Sequence, residues 1–182
     1  MNLYIMRHGT TVWNEIGRTQ GRSQNRLSKA GIELVKNASK KFKNVKIDLI
    51  ITSPLMRTKQ TSNLMNVYHN VKIIENALLI EIDQGLFTGK FHAKFTPEEK
   101  EIRRRRDPKF GIESYQSVYN RAKEFLQYLL NKKPAQNILI VTHNAIATML
   151  EKIITGQNIN WENKDSRLFN IFENAEIKHF EL

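Results

Sequence analysis

The sequence predicts a three-layer α/β/α protein with a mostly parallel central sheet, and three observations carry that expectation. Short apolar runs of strand length alternate with amphipathic segments of helix length, the order in which a parallel sheet is built. Two of these runs end in histidine-bearing turns, Met6-Arg7-His8-Gly9 and Val141-Thr142-His143-Asn144, at the strand ends where α/β sheets bind ligands. A hydrophobic content of 40% supports a packed core, which excludes a disordered, collagen-like or low-complexity chain. The 182 residues suit one domain, spanning 1–182, or at most one domain with a lid.

Leu3 to Met6 reads as a buried strand delivering the loop that starts at Arg7. After a polar, glycine-punctuated stretch, Ser28 is placed to cap a helix running to about Lys41, with Ile32, Val35 and Phe42 on its buried stripe. Asp48 to Thr52 is a second buried strand, and Ser53-Pro54 is expected to open the next helix, with Ser53 as cap and Pro54 in the first position. Val71 to Glu75 is a third strand, and Leu79 to Gly89 has no period and reads as loop. Thr96-Pro97-Glu98-Glu99 is a capping box that starts a short helix ending near Asp107-Pro108. Ser114 to Leu130 is the longest helical pattern, with Val118, Ala122, Phe125 and Leu129 on one face. Asn137 to Val141 is the fourth strand and Asn144 to Ile154 the helix after it. Leu168 to Phe172 and Glu176 to Phe180 alternate around Asn174-Ala175 and are expected to form a closing hairpin. An unpaired edge on that hairpin would support a homo-oligomer, which the sequence leaves undetermined.

The chain has no cysteine, so disulfides, a thiolate nucleophile and a cysteine-rich zinc site are excluded. A reducing compartment fits this composition. The apolar runs at Ala77–Ile80 and Asn137–Val141 are far shorter than the ~18 residues of a membrane span. Arg7-His8-Gly9 also interrupts the apolar start before a secretion signal could form, so the expected location is cytoplasmic, with no membrane partner. A net charge of +11 favours anionic partners: nucleic acid, acidic membranes or small phosphorylated molecules. Part of the excess sits at Lys36–Lys46 and Arg103–Arg106, both within helix-like segments and read for the most part as solvated faces; some of the four arginines could meet a second phosphate or an extended anionic substrate, but consecutive helix positions point in different directions and cannot all face one pocket.

The sharpest physical signal is the pair of histidines at strand ends, joined by Arg57 in the first turn of a helix, where backbone N–H groups and the helix dipole attract anions. Arg7, His8, Arg57 and His143 are thereby placed to converge on one phosphate-sized anion. A single histidine at a strand end is most often a structural residue, but two histidines and two arginines at three strand ends are poorly explained that way. His69, His92 and His179 have no such setting and are assigned structural roles.

Arg7-His8-Gly9-Thr10-Thr11-Val12-Trp13-Asn14 resembles the signature of the histidine phosphatase superfamily, also called phosphoglycerate mutase-like. Arg18, Gln20-Gly21, Leu27-Ser28 and Gly31 resemble the loop and helix start that follow it. Ser53 to Thr61 is similar to the family's Ser-Pro, Arg-Ala, Gln-Thr segment. Glu81, Gly85 and Gly89 resemble its acid-bearing loop, Glu113-Ser114 with Arg121 its Glu-Ser helix, and Thr142-His143 its second histidine. These motifs span nearly the whole chain in the family's order. Asn144 stands where glycine is common, Arg22-Ser23-Gln24 where Trp, any residue, Asp is frequent, and Phe87-Thr88-Gly89 where Trp-Glu-Gly is common. These departures bear on substrate recognition more than on phosphoryl chemistry.

The resemblance implies that neutral His8 attacks a phosphoryl group in line and forms a phosphohistidine. It implies that Arg7, Arg57 and His143 hold the non-bridging oxygens, with Asn14, Gln20, Gly21 and Asn144 completing the phosphate-binding set. Glu81 would protonate the leaving alkoxide and then activate water; Asp83, two residues on, reaches the same space as an alternative. No metal and no cofactor are implied. Mutases of this family carry a longer insertion after the acid loop, whereas this chain has only a short segment at about 90–112, expected to be a helical lid. The mutase-like Glu-Arg-His-Tyr-Gly is replaced by Glu81-Ile82-Asp83-Gln84-Gly85. The resemblance therefore implies a phosphatase of the broad-specificity or α-ribazole phosphatase branch acting on a small phosphorylated substrate. The alternatives are phosphoglycerate mutase-type transfer, a phosphatase of protein phosphohistidine or phosphotyrosine, and a non-catalytic basic nucleic-acid-binding protein. The last is disfavoured, because no nucleic-acid motif or aromatic-interleaved basic stripe is present.

Overall fold

A computed structural model describes residues 1–161 and 171–182. Its five-stranded sheet has the order β3-β2-β4-β1-β5, formed by β1 (Asn2–Arg7), β2 (Leu49–Thr52), β3 (Lys72–Glu75), β4 (Asn137–Thr142) and β5 (Ile177–Glu181). The first four are mutually parallel, and β5 runs antiparallel along β1. The helices are α1 (Val12–Glu15), α2 (Lys29–Phe42), α3 (Met56–Met65), α4 (Pro97–Arg105), α5 (Tyr115–Lys132) and α6 (Asn144–Ile154).

Side chains of a strand alternate between faces, and the core divides accordingly. Leu3, Ile5, Leu49, Ile51, Ile138 and Ile140 pack with Val118, Ala122, Phe125 and Leu129 of α5 and with Met149 and Leu150 of α6. Met6, Ile50, Leu139 and Val141 face the other way, onto Val35 of α2 and Met65 of α3. This is the expected three-layer α/β/α arrangement. Among the described residues no helix is long and apolar enough to cross a membrane.

Ser28 caps α2, its hydroxyl accepting from the Gly31 N–H at 3.0 Å. A Cβ on Gly31 would lie 1.9 Å from the Thr10 carbonyl oxygen, so only glycine lets α2 start against the loop that carries His8. The capping box predicted for α4 is present.

Two expectations need correction. Helix α3 starts at Met56 with Leu55 as its cap and no side-chain cap bond, rather than at Pro54 behind a capping Ser53. Ser53 is diverted because its hydroxyl sits 2.8 Å from the His143 ring. The closing hairpin is also absent as drawn. Its turn exists at Asn174-Ala175, but β5 pairs with β1, and residues 168–170 of the first arm lie outside the described residues. The rest of that arm, Ile171 and Phe172, belongs to no strand because its backbone groups have other partners. The Phe172 N–H donates to Asn144 Oδ1 at 3.0 Å, and its carbonyl accepts from Arg7 Nη1 at 2.6 Å.

Candidate active site

The carboxyl ends of β1, β2 and β4, neighbours in the sheet, bring His8, Ser53 and His143 together, and α3 adds Arg57 from its first turn. His8 and Arg57 lie on the wall of a pocket of about 380 Å³. Arg7, Asn14, Gln20, Gly21, Glu81 and Asn144 share that wall. His143 does not. It is fully buried behind His8, the two rings meeting edge to face with centroids 5.2 Å apart. The expected convergence of His143 with Arg7, His8 and Arg57 on one anion is thus corrected: the ring at the start of α6 turns inward, toward Ser53.

The hydrogen bonds of His8 fix its tautomer. Nδ1 lies 2.7 Å from the Gly9 carbonyl oxygen, which can only accept, so Nδ1 carries the proton. Nε2 then holds a lone pair, and it accepts from Arg57 Nε at 3.1 Å. Burial holds the His8 pKa well below its ordinary value, the charges of Arg57 and Arg7 push the same way, and the Gly9 bond opposes them. His143 is likewise held neutral by burial and by Arg57. Its Nε2 faces Ser53 Oγ, and its Nδ1 is buried without a partner.

Arg57 is 1% exposed, yet its side chain is fully directed: besides His8, it donates to the carbonyls of Ser23 and Gly21, each at 2.8 Å. Burial lowers its pKa to about 10, so it remains charged at neutral pH, supported by Glu81. Arg7 spends one N–H on Phe172 and keeps a buried Nε without a partner. Two desolvated guanidinium groups therefore stand at His8 with only carbonyl oxygens and the His8 ring nitrogen as acceptors, and a bound anion would offset their lost hydration.

The polar residues have divided duties. Asn14 Oδ1 accepts from the backbone and hydroxyl of Thr11 at the start of α1, which leaves its NH₂ as the donating end. Gln20 Oε1 accepts from Thr11 Oγ1 at 2.9 Å, and Asn144 Oδ1 holds Phe172. Glu81 accepts from the Ile82 N–H and lines the pocket, whereas Asp83 is outside it, bound to the Gly85 N–H and 3.6 Å from Arg22.

The sequence reading singled out Glu113 and Arg121 as part of a motif, but several contacts at the site escaped it. Glu113 gathers Arg22, the Asp83 N–H, Ser117 and Arg121, and Arg121 in turn donates to the carbonyls of Leu78 and Ile80 just ahead of Glu81. Arg106 is 9% exposed and donates to Asp83 O, Glu113 O and Gln84 Oε1, which overturns the solvated-face reading for this residue. Its left-handed conformation, φ 55° and ψ 48°, ends α4 and turns the side chain inward. Arg103 and Arg104 also line the pocket, so Arg105 alone of the four arginines stays off its wall. His92, assigned a structural role, is on the wall as well. The available signal was the capping box of α4, which fixes where that helix begins and hence which of its residues face inward.

A family model, that of the histidine phosphatase superfamily (branch 1), matches residues 3–182. Phosphoserine phosphatase 1 of Hydrogenobacter thermophilus is 32% identical over 149 residues, covering 79% of this chain and 71% of that protein. The probable phosphoglycerate mutase GpmB of Yersinia pestis is 31% identical over 104 residues, covering 57% of this chain and only 48%, about half, of that longer relative. Among solved structures, the α-ribazole phosphatase of Shigella flexneri superposes with a TM-score of 0.86 at 23% identity, covering 100% of this chain and 91% of that one. That likeness speaks to the fold.

Proposed function

This chain belongs to the histidine phosphatase superfamily, and from that premise we propose that it hydrolyses phosphate monoesters of small molecules through a phosphohistidine on His8. The observation that carries the reading is the tautomer of His8: a proton locked on Nδ1 by Gly9, and an Nε2 lone pair beside the desolvated guanidinium groups of Arg57 and Arg7.

In the first step Nε2 attacks phosphorus in line and the ester P–O bond breaks, the electron pair leaving with the alcohol oxygen. Glu81, as the carboxylic acid, gives that oxygen its proton. The Nδ1–H to Gly9 bond supports the positive charge that appears on the ring. Arg7 and Arg57 take the non-bridging oxygens, together with the Asn14 amide, while His143 packs against the His8 ring from behind. In the second step Glu81, now a carboxylate, removes a proton from water, which attacks phosphorus and breaks the P–N bond. Inorganic phosphate leaves and neutral His8 returns. The 90–112 segment acts as a short lid, with the exposed His92, Lys100 and Arg104 at the pocket. That openness admits water and favours hydrolysis over return transfer.

The side chains themselves supply the charge stabilisation, so the wild-type enzyme is expected to release phosphate from an aryl phosphate in excess EDTA. Activity is also expected to persist below pH ~6.5, the ordinary histidine value, because the lowered pKa of His8 keeps Nε2 unprotonated there. Measuring phosphate release with EDTA across that range checks both points. Full loss on chelation contradicts the reading, and so does a decline in kcat/KM that tracks an ordinary imidazole.

A further inference from the structure

The nucleophile and the proton donor of the proposed reaction come from separate segments, His8 just past the end of β1 and Glu81 from the stretch between β3 and α4, and one phosphoryl group has to meet both. A chain of hydrogen bonds connects them. Arg57 Nε donates to His8 Nε2 at 3.1 Å, and its two Nη atoms donate to the carbonyls of Ser23 and Gly21, each at 2.8 Å. Those two carbonyls flank Arg22, so the guanidinium that serves His8 also fixes the backbone from which the Arg22 side chain departs. Arg22 Nε then donates to the Glu81 carbonyl oxygen and its Nη2 to Glu113 Oε2, each at 3.1 Å, and its Nη1 lies 3.6 Å from Asp83 Oδ2.

The far end of this bridge is held entirely by side chains. Residues 80–83 belong to no helix or strand, so their backbone groups need partners from elsewhere. Arg121 donates to the carbonyls of Leu78 and Ile80, Thr142 Oγ1 to that of Leu79 at 2.8 Å, and Arg106 to that of Asp83 at 2.9 Å. Glu113 accepts from the Asp83 N–H at 3.0 Å and pairs with both Arg121 and Arg22. Glu81 Oε1 in turn accepts from the Ile82 N–H at 2.9 Å, which ties the carboxyl to the same backbone. A shift of that backbone therefore carries the carboxyl with it. The Arg22 side chain is 38% exposed, so its ion pairs add little to stability and the geometry they impose is their main consequence. That geometry needs a planar fork serving two partners at once, which the point charge of a lysine does not provide.

We propose that Arg22 is a positioning residue: held by Glu113, it sets the place of the proton donor Glu81 relative to the nucleophile His8. This rests on the proposed function and deepens it.

The dependence of kcat/KM on the leaving group tests it, across esters running from nitrophenyl through phenyl to alkyl phosphates. Arg22→Met is expected to lower kcat/KM by ~10-fold or more at the alkyl end, where the departing oxygen needs a proton, and by no more than ~2-fold at the nitrophenyl end. Competitive inhibition by inorganic phosphate is expected to stay at the wild-type level, because Arg7 and Arg57 keep their own partners. Arg22→Lys retains the charge without the fork and is expected to show the same leaving-group-selective loss, as is Glu113→Gln. If Glu113→Gln does not fold, the two variants of exposed Arg22 decide. In the Glu81→Gln background, Arg22→Met is expected to cost no more than ~2-fold further on alkyl esters, since the group it acts through is gone. Lys36→Met breaks an exposed ion pair with Glu33 on α2, off the pocket wall, and is expected to keep the wild-type profile. Equal losses along the whole series overturn the role, because they mark general damage to the phosphate site. So does an unchanged profile in Arg22→Met, full activity in Arg22→Lys, or a loss that is undiminished without the Glu81 carboxylate. A wild type inactive on every ester contradicts the phosphatase reading itself, and this role falls with it.

Discussion

Replacing His8 by alanine is expected to lower kcat for phosphate-ester hydrolysis by at least ~10⁴-fold, with every tested ester affected alike. The size of the effect follows from what the ring does. In the proposed mechanism its Nε2 forms the bond to phosphorus, and no cysteine exists in the chain to replace it. His143 is too buried to do so: it is 0% exposed and lies behind His8. The protein should nonetheless fold and bind inorganic phosphate, since Arg7 and Arg57 keep their carbonyl partners at Phe172, Ser23 and Gly21. The check is steady-state hydrolysis beside phosphate binding by calorimetry. Residual turnover above ~1% of the wild type would mean that a different group attacks, or that water attacks directly.

Glu81→Gln is expected to lower kcat by about 10² to 10⁴-fold on alkyl phosphates, and less for formation of the phosphoenzyme from a nitrophenyl phosphate, whose leaving group needs no proton. Glutamine retains the shape and can still accept from the Ile82 N–H, so the loss isolates proton transfer. Asp83→Asn is expected to cost no more than ~10-fold, because Asp83 is outside the pocket and works as a turn residue on Gly85. Comparing the two variants on one alkyl and one aryl ester checks the assignment. The reverse ranking would move the acid role to Asp83. Equal losses on both leaving groups would mean that Glu81 acts mainly by holding Arg7 and Arg57, with which it interacts electrostatically.

Much of this was legible in the chain because it depends on local pattern. Alternating apolar runs became β1, β2, β3 and β4, and the 3.6-residue stripe of Val118, Ala122, Phe125 and Leu129 became the buried face of α5. The residues at strand ends converge because parallel strands deliver their carboxyl ends to one side. What was not legible depends on contacts between distant segments. Ser53 resembles a helix cap in sequence, and only the approach of His143, 90 residues away, explains why it is not one. The alternation ahead of Asn174 suggested a strand, but Phe172 gives its backbone groups to Asn144 and Arg7, which no local pattern reveals. Arg106 followed a run of arginines that reads as surface, and its left-handed backbone alone sends it into the acid loop. Glu113 was recognised as part of a motif, while its task of joining Arg22, Asp83 and Arg121 is a property of the folded chain.

The central claim is a covalent intermediate on His8, and the most direct test is to catch it. During turnover of a radiolabelled nitrophenyl phosphate ester, the Glu81→Gln enzyme should accumulate phosphoenzyme, since attack proceeds with a good leaving group while the activation of water is impaired. Denaturation at alkaline pH preserves a phosphoramidate, and peptide mapping locates it. Near-stoichiometric label on the peptide containing His8, stable in base and lost in acid, is the predicted result. Label on another residue, or turnover with no label captured at any time, would contradict it.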